Sequence, residues 1–133
     1  RDLGGNTIDL TFMGESRNLH WIWDEDLITC QKISPPDYAR QLLDEITDRD
    51  LAEWRKGTPG QWAEANWRTA LQHAYQYEGG TVTNGVKPGR RYLVANLPVL
   101  DEQLASGGVR LAWLLNNTYK SAASGTTTRP AKR

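Results

Sequence analysis

Among 133 residues there is one cysteine, one methionine, one phenylalanine and only two histidines. A lone cysteine, Cys30, rules out a disulfide within the chain. Its thiol is left either a partner elsewhere or a place as a small buried hydrophobe. No apolar run approaches the roughly 18 residues of a membrane-spanning helix, and no targeting segment opens the chain. An excess of one charge is also missing. The 16 basic and 16 acidic residues cancel, which argues against a broad phosphate-gripping groove. There is no glycine-rich phosphate loop, no Cys-x-x-Cys pair, no serine nucleophile elbow and no internal repeat, so the chemistries those motifs carry are excluded. The length suits one domain able to bury about two-thirds of its unfolded surface.

Tryptophan and tyrosine are abundant, six and five residues against the single phenylalanine. They imply a core with polar handles, or stacking surfaces. Two of the tryptophans lie within the chain's most informative stretch, Asn18-Leu19-His20-Trp21-Ile22-Trp23-Asp24. On a helix, His20 and Asp24 lie on one face, about 5–6 Å apart at Cβ. A neutral imidazole and a carboxylate so placed can share one zinc ion, whose nitrogen and oxygen ligands sit at about 2.0–2.2 Å. The same spacing also serves an Asp24 that merely orients a packed His20. Upstream, Thr7–Phe12 alternates apolar and polar residues, the period of a half-buried strand. Met13-Gly14-Glu15-Ser16 reads as a turn, and Arg17 onward runs back toward His20. Gly4-Gly5-Asn6 and His20-x-x-x-Asp24 therefore sit at the two ends of a short hairpin.

The rest of the chain reads as helices. Leu27 and Ile28 continue a short one. Ser34-Pro35-Pro36-Asp37 is a helix start, followed by Tyr38, Leu42 and Ile46 at i, i+4 and i+8. A new start falls at Thr47-Asp48. Residues 37–55 carry six acids and three bases, a solvated face. After Lys56-Gly57, Thr58-Pro59-Gly60-Gln61 has capping-box spacing. The helix it opens is apolar on two sides and is expected to be central. His73, with no acid or histidine three or four residues away, reads as a hydrogen-bonded core or boundary histidine. Glu78 to Gly85 is a loop of mobile composition. From Pro88 a helical pattern resumes, with Pro98 expected to kink or restart it and Gly107-Gly108 to weaken it. Asn116-Asn117-Thr118 is formally a glycosylation acceptor. Lys120 to Arg133 is small, polar and basic, and is expected to be a disordered tail.

The stretch DLGGNTIDLTFMGESRNLHWIWDEDLI resembles the signature of zinc-dependent single-strand nucleases and 3′-nucleotidases, fungal in their best-known form, which share a superfamily with bacterial zinc phospholipases C. The matching pieces are Gly-Gly-Asn, the hairpin, Asn-Leu-His-x-x-Trp-Asp and the spacing from Asn6 to His20. "QWAEANWRTAL" fits the family's tryptophan-led helix. "YLVANLPVLDEQLASGGVRLAWLLN" resembles its C-terminal helix, in which a glycine permits close packing. The resemblance implies a mainly α fold of the phospholipase C/nuclease type with a short β-hairpin near the N-terminus. It implies three zinc ions in one cleft of the complete enzyme, one of them contacted by His20 and Asp24. Asn6, with the backbone of Gly4 and Gly5, would form part of a nucleobase pocket. An amide suits that task because it donates and accepts along a base edge. The implied activity is hydrolysis of single-stranded DNA and RNA to 5′-phosphate products and removal of 3′-phosphates from nucleotides.

The family's other zinc ligands, its proposed catalytic aspartate and its phosphate-gripping lysine all precede Gly-Gly-Asn. No catalytic residue is therefore expected in this chain. Residues 1–119 read as the C-terminal half of a zinc nuclease domain, inactive alone, whose partners would be single-stranded nucleic acid, nucleotides and the missing N-terminal half, with no membrane. Some of Leu19, Trp21, Ile22 and Trp23 should then form an exposed apolar patch. Secretion or the periplasm is the expected location. A zinc phospholipase C relative and a non-catalytic interaction module are the competing readings; the asparagine after Gly-Gly speaks for nucleotides.

Overall fold

The computed structural model describes residues 2–124, with side chains through Lys120. The chain opens with an antiparallel hairpin. Strand β1, Asp9–Phe12, pairs with β2, Glu15–Asn18, in a register that sets Leu10 opposite Arg17 and Phe12 opposite Glu15. Period-2 alternation buries Leu10 and Phe12 on one face. The turn between them uses left-handed Met13 and Gly14. The chain then enters α1, Leu19–Trp21, a π-helical turn, Ile22–Asp26, and α2, Leu27–Thr29.

Local signals place the next helices where the sequence predicts them. Helix α3, Pro35–Glu45, starts at Ser34, whose hydroxyl accepts the Asp37 N–H. Helix α4, Asp48–Trp54, starts at a reciprocal Thr47–Asp50 capping box, and α5, Pro59–Gln72, at a Thr58–Gln61 box. Each box satisfies two backbone donors that the first turn leaves orphaned. The core is formed by Leu10, Phe12, Leu19, Ile22, Leu27, Val82, Tyr92 and Leu100. The fold is mainly α, as expected.

Several expectations need correction. Helix α5 is not central. Only Trp62 on it is buried, while Trp67 and Leu71 stand exposed. Trp62 packs instead edge-on to Trp113, with the Arg110 guanidinium 5.3 Å from its ring. The stretch from Glu78 to Gly85 is anchored at both ends. It contains part of a second small hairpin, β3, Gln76–Tyr77, with β4, Gly80–Thr81. Its continuation lies along β1, with Gly85 N–H donating to Asp9 O at 2.8 Å and Thr11 N–H to Val86 O at 3.2 Å.

Pro98 does not restart the last helix either. Helix α6 runs unbroken from Arg90 to Ser124, into the stretch read as tail; residues 125–133 lie outside the described residues. Proline removes the N–H that Val94 O would accept, and Val94 is on the exposed side. Burial of Tyr92 and Leu100 on the other side is worth about 1.5–3 kcal/mol each, enough to outweigh a proline cost of ~3 kcal/mol. Among the described residues, nothing lies within 4 Å of a Cβ added at Gly107 or Gly108. Cys30 is exposed, not buried. Among the described residues no helix is long and apolar enough to cross a membrane.

Candidate metal centre and its cleft

The hairpin delivers His20 to its place. Leu19 N–H donates to Ile8 O at 3.0 Å, which closes the hairpin base. The Asn18 side chain accepts the Trp21 N–H at 2.7 Å and caps the first turn. Two residues later the helix widens, with Leu27 N–H reaching back five residues to Ile22 O. Such π turns are rare and frequent at functional sites. Here the turn contains Asp24 and Asp26. Asp26 is tied to β2 by Arg17, whose Nε lies 3.1 Å and 3.4 Å from its two oxygens. Trp23 is held from the other side, its indole N–H donating to Tyr92 OH at 2.8 Å. The turn is therefore braced against both the hairpin and α6.

His20 Nδ1 lies 3.1 Å from the Gly4 carbonyl, and Nε2 lies 2.9 Å from Asp24 Oδ2. A carbonyl only accepts, so Nδ1 carries the proton. Nε2 then faces a carboxylate oxygen with a lone pair. Two lone pairs at that separation repel, and a cation shared between them would relieve the repulsion. Both side chains are accessible, 46% and 66% exposed. His20 and Asp24 are thus neighbours in space. Among the described residues no group of three or more His, Cys, Asp or Glu that could hold a metal ion forms. His73 is remote from the pair, half-buried at the end of α5.

The Gly-Gly-Asn turn divides. Gly4 contacts the His20 ring through its carbonyl. Gly5 is buried at φ +90, and a Cβ there would sit 3.1 Å from Leu19 Cβ and 3.2 Å from the His20 nitrogen. Its glycine is required by this close approach. Asn6 is exposed and donates its side-chain amide to Leu3 O at 3.0 Å. Beside the pair opens a cleft of about 710 Å³, bordered by Asp2, Gly4, His20, Trp23, Trp67 and Tyr75 among others. Gly4 and His20 line it; Gly5, Asn6 and Asp24 do not. Of the four residues expected to leave an apolar patch, Leu19 and Ile22 are buried, Trp23 is half-buried and only Trp21 is exposed. The second apolar face of α5, with Trp67 and Leu71, lines the cleft instead.

Sequence reasoning missed Asp2 and Tyr75. Asp2 Oδ1 accepts the Gly4 N–H at 3.1 Å. Tyr75 hydrogen-bonds the Asp2 carboxylate, which is the main reason Asp2 titrates below its ordinary range; the Gly4 N–H adds to it and burial opposes it. Burial first, and then Asp2, push Tyr75 up to about 12. The Asp-x-Gly spelling, which favours an Asp side chain capping a turn, could have found Asp2. Nothing local marks Tyr75.

These features define a class: a mainly helical chain in which a short hairpin sets a histidine–carboxylate pair on a braced helical turn beside an open cleft. The chain belongs to the S1/P1 nuclease family, whose model matches residues 1–120. Endonuclease 1 of Arabidopsis thaliana is 32% identical over 129 residues, covering 89% of this chain and 42% of that protein. Endonuclease 5 of the same plant is 31% identical over 134 residues, covering 90% and 44%. Nuclease S1 of Aspergillus oryzae is 30% identical over 133 residues, covering 85% and 45%. The chain thus spans less than half the length of these relatives.

Proposed function

We propose that this chain forms part of a zinc-dependent phosphodiesterase that cuts single-stranded DNA and RNA to 5′-phosphate products and removes 3′-phosphates from nucleotides. His20 and Asp24 would hold one of its three zinc ions. The carrying observation is the His20 geometry: Nδ1 committed to a carbonyl and Nε2 presented beside a carboxylate. Donors about 2.0–2.2 Å from a shared zinc ion stand roughly 2.9–3.5 Å apart, and the observed 2.9 Å fits. Bound zinc would lower the pKa of a coordinated water and stabilise charge on attacking and leaving oxygens. This chain's own part is to orient. Gly4 O fixes the ring, Asp24 supplies a carboxylate oxygen, and the Arg17–Asp26 and Trp23–Tyr92 bonds keep the turn from yielding. Two donors fall short of the three or four that zinc sites use, so the complete centre draws on residues beyond this pair.

Membership of the nuclease family, and relatives whose names are endonuclease and nuclease, support the substrate. Exposed Asn6 beside Gly4 and Gly5 would meet the base edge with its amide. In the complete enzyme Asn6→Ala should weaken mononucleotide binding and leave zinc content intact; stacking worth about 1–3 kcal/mol per base would persist. Unchanged nucleotide affinity would remove Asn6 from the site. Export to the periplasm or outside the cell fits an enzyme that would otherwise attack its host's transcripts; a full reading frame opening without a signal peptide would contradict that part.

The central test is metal content by elemental analysis alongside hydrolysis of single-stranded DNA, for the wild type and His20→Ala in the complete enzyme. Loss of one zinc with a fall in activity of orders of magnitude, and with helicity retained, is the expected result. Full zinc occupancy with normal turnover in His20→Ala would defeat the reading. Hydrolysis of a choline phospholipid in place of DNA would move the protein to the phospholipase branch.

A further inference from the structure

The loop that carries Gly4 is bent into an unfavourable path. Leu3, Gly4 and Gly5 are consecutive left-handed residues, at φ 53, 69 and 90. For leucine this conformation costs about 1–2 kcal/mol, so the surroundings must impose it. Three of the hydrogen bonds that hold the loop converge on one residue. Asp2 accepts the Gly4 N–H with its carboxylate at 3.1 Å, and with its main-chain carbonyl it accepts the N–H groups of Gly5 at 3.1 Å and Thr7 at 3.2 Å. The two peptide planes flanking Gly4 are therefore both held by Asp2. One of them is the Gly4–Gly5 peptide, whose oxygen meets His20 Nδ1. On the far side, Tyr75 on the cleft wall holds the same carboxylate.

We propose that Asp2 is the positioning residue of the candidate metal site: by fixing the Gly4 carbonyl on Nδ1, it sets the His20 tautomer that presents Nε2 to the cation. The proposal rests on the zinc reading above and goes beyond it, because Asp2 is linked to His20 through the Gly4 peptide. A carbonyl that holds the second ring nitrogen of a histidine ligand fixes both its tautomer and its ring orientation, and such outer partners commonly change metal affinity by about 10–100-fold. Asp2 stands one bond further out, as the group that fixes the carbonyl.

Histidine ring nitrogen shifts provide the test. With only two histidines, His73 is an internal control. The spectra are recorded without metal at about pH 8, where an ordinary imidazole is neutral. An Asp24→Ala background removes the competing acceptor at Nε2. The Nδ1–H form should dominate there, and also in Asp2→Asn, which keeps an oxygen acceptor for the Gly4 N–H. Asp2→Ala should move His20 toward the Nε2–H form and leave His73 where it was. An identical tautomer balance with and without the Asp2 side chain would overturn the proposal. With Asp24 intact, zinc affinity measured against a chromophoric chelator should fall about 10–100-fold in Asp2→Ala and return in Asp2→Asn. A tautomer shift with unchanged zinc affinity would also overturn it. Should His20→Ala leave zinc content untouched while the tautomer still answers to Asp2, the failure would lie with the zinc reading and not with the positioning.

Discussion

Tyr92→Phe removes a single oxygen that joins three elements. Tyr92 is 2% exposed. Its hydroxyl accepts from Trp23 Nε1 at 2.8 Å and donates to Ala74 O at 2.7 Å. Phenylalanine keeps the ring, so the edge-on contact with Tyr77 at 5.9 Å and the apolar burial should survive. What is lost is two hydrogen bonds, with a donor and an acceptor left behind. A buried polar group stripped of its partner costs about 1–3 kcal/mol. Ala74 is buried and its carbonyl should bear most of that cost. Trp23 is only half-buried, so its N–H can recover some solvent and falls at the low end. The sum is roughly 2–4 kcal/mol, against a total stability of about 5–15. Urea unfolding should show a lower midpoint at unchanged slope. Trp23→Phe provides the second edge of a double-mutant cycle, and its coupling with Tyr92→Phe should be about 1 kcal/mol. Because Trp23 lies between His20 and Asp24, a loosened indole should also blunt metal binding at that pair. A loss below about 0.5 kcal/mol, or no coupling, would show that the Trp23–Tyr92–Ala74 chain does not brace the site.

Other outcomes follow from the same reasoning. Burial is the first cause that pushes Tyr38, Tyr75 and Tyr92 up to about 12; an unfolded tyrosine titrates near 10. Between those values the folded chain keeps protons that the unfolded chain has released. Stability is therefore whole below pH ~10 and falls as pH rises toward ~12; melting midpoints that stay flat across that window would refute it. Tyr75→Phe removes the main cause of the lowered Asp2 titration, and a carboxyl-shift titration should show Asp2 moving back up toward the ordinary range. Gly5→Ala combines a left-handed backbone with contacts of 3.1–3.2 Å to Leu19 and His20. It should cost on the order of 1–3 kcal/mol and displace the His20 ring, which chemical denaturation and the ring shifts would report. Thr58→Ala removes the α5 cap at a cost of about 1 kcal/mol with no effect on metal content; a helix as stable as before would discount the capping box.

The local elements were legible in the sequence because their causes are local. The caps at Ser34, Thr47 and Thr58 need only residues three positions on, and the β1–β2 hairpin needs only its alternation and its turn. The pairing of His20 with Asp24 was legible for the same reason, since one helical turn brings them together. Pro98 misled because its penalty is local and the burial that overrides it is not. Helix α5 misled because two apolar faces look alike in sequence, and only the packed chain shows that one covers the core boundary while the other lines an open cleft. Which ring nitrogen of His20 faces the Gly4 carbonyl, and that Asp2 and Tyr75 stand together at the same cleft, belonged to the tertiary structure alone. The Gly4 carbonyl reaches a ring sixteen residues away, and Tyr75 meets Asp2 from far along the chain. Contacts at such separation leave no period or spacing to read, because they exist only once the hairpin has folded back and the cleft has formed around it.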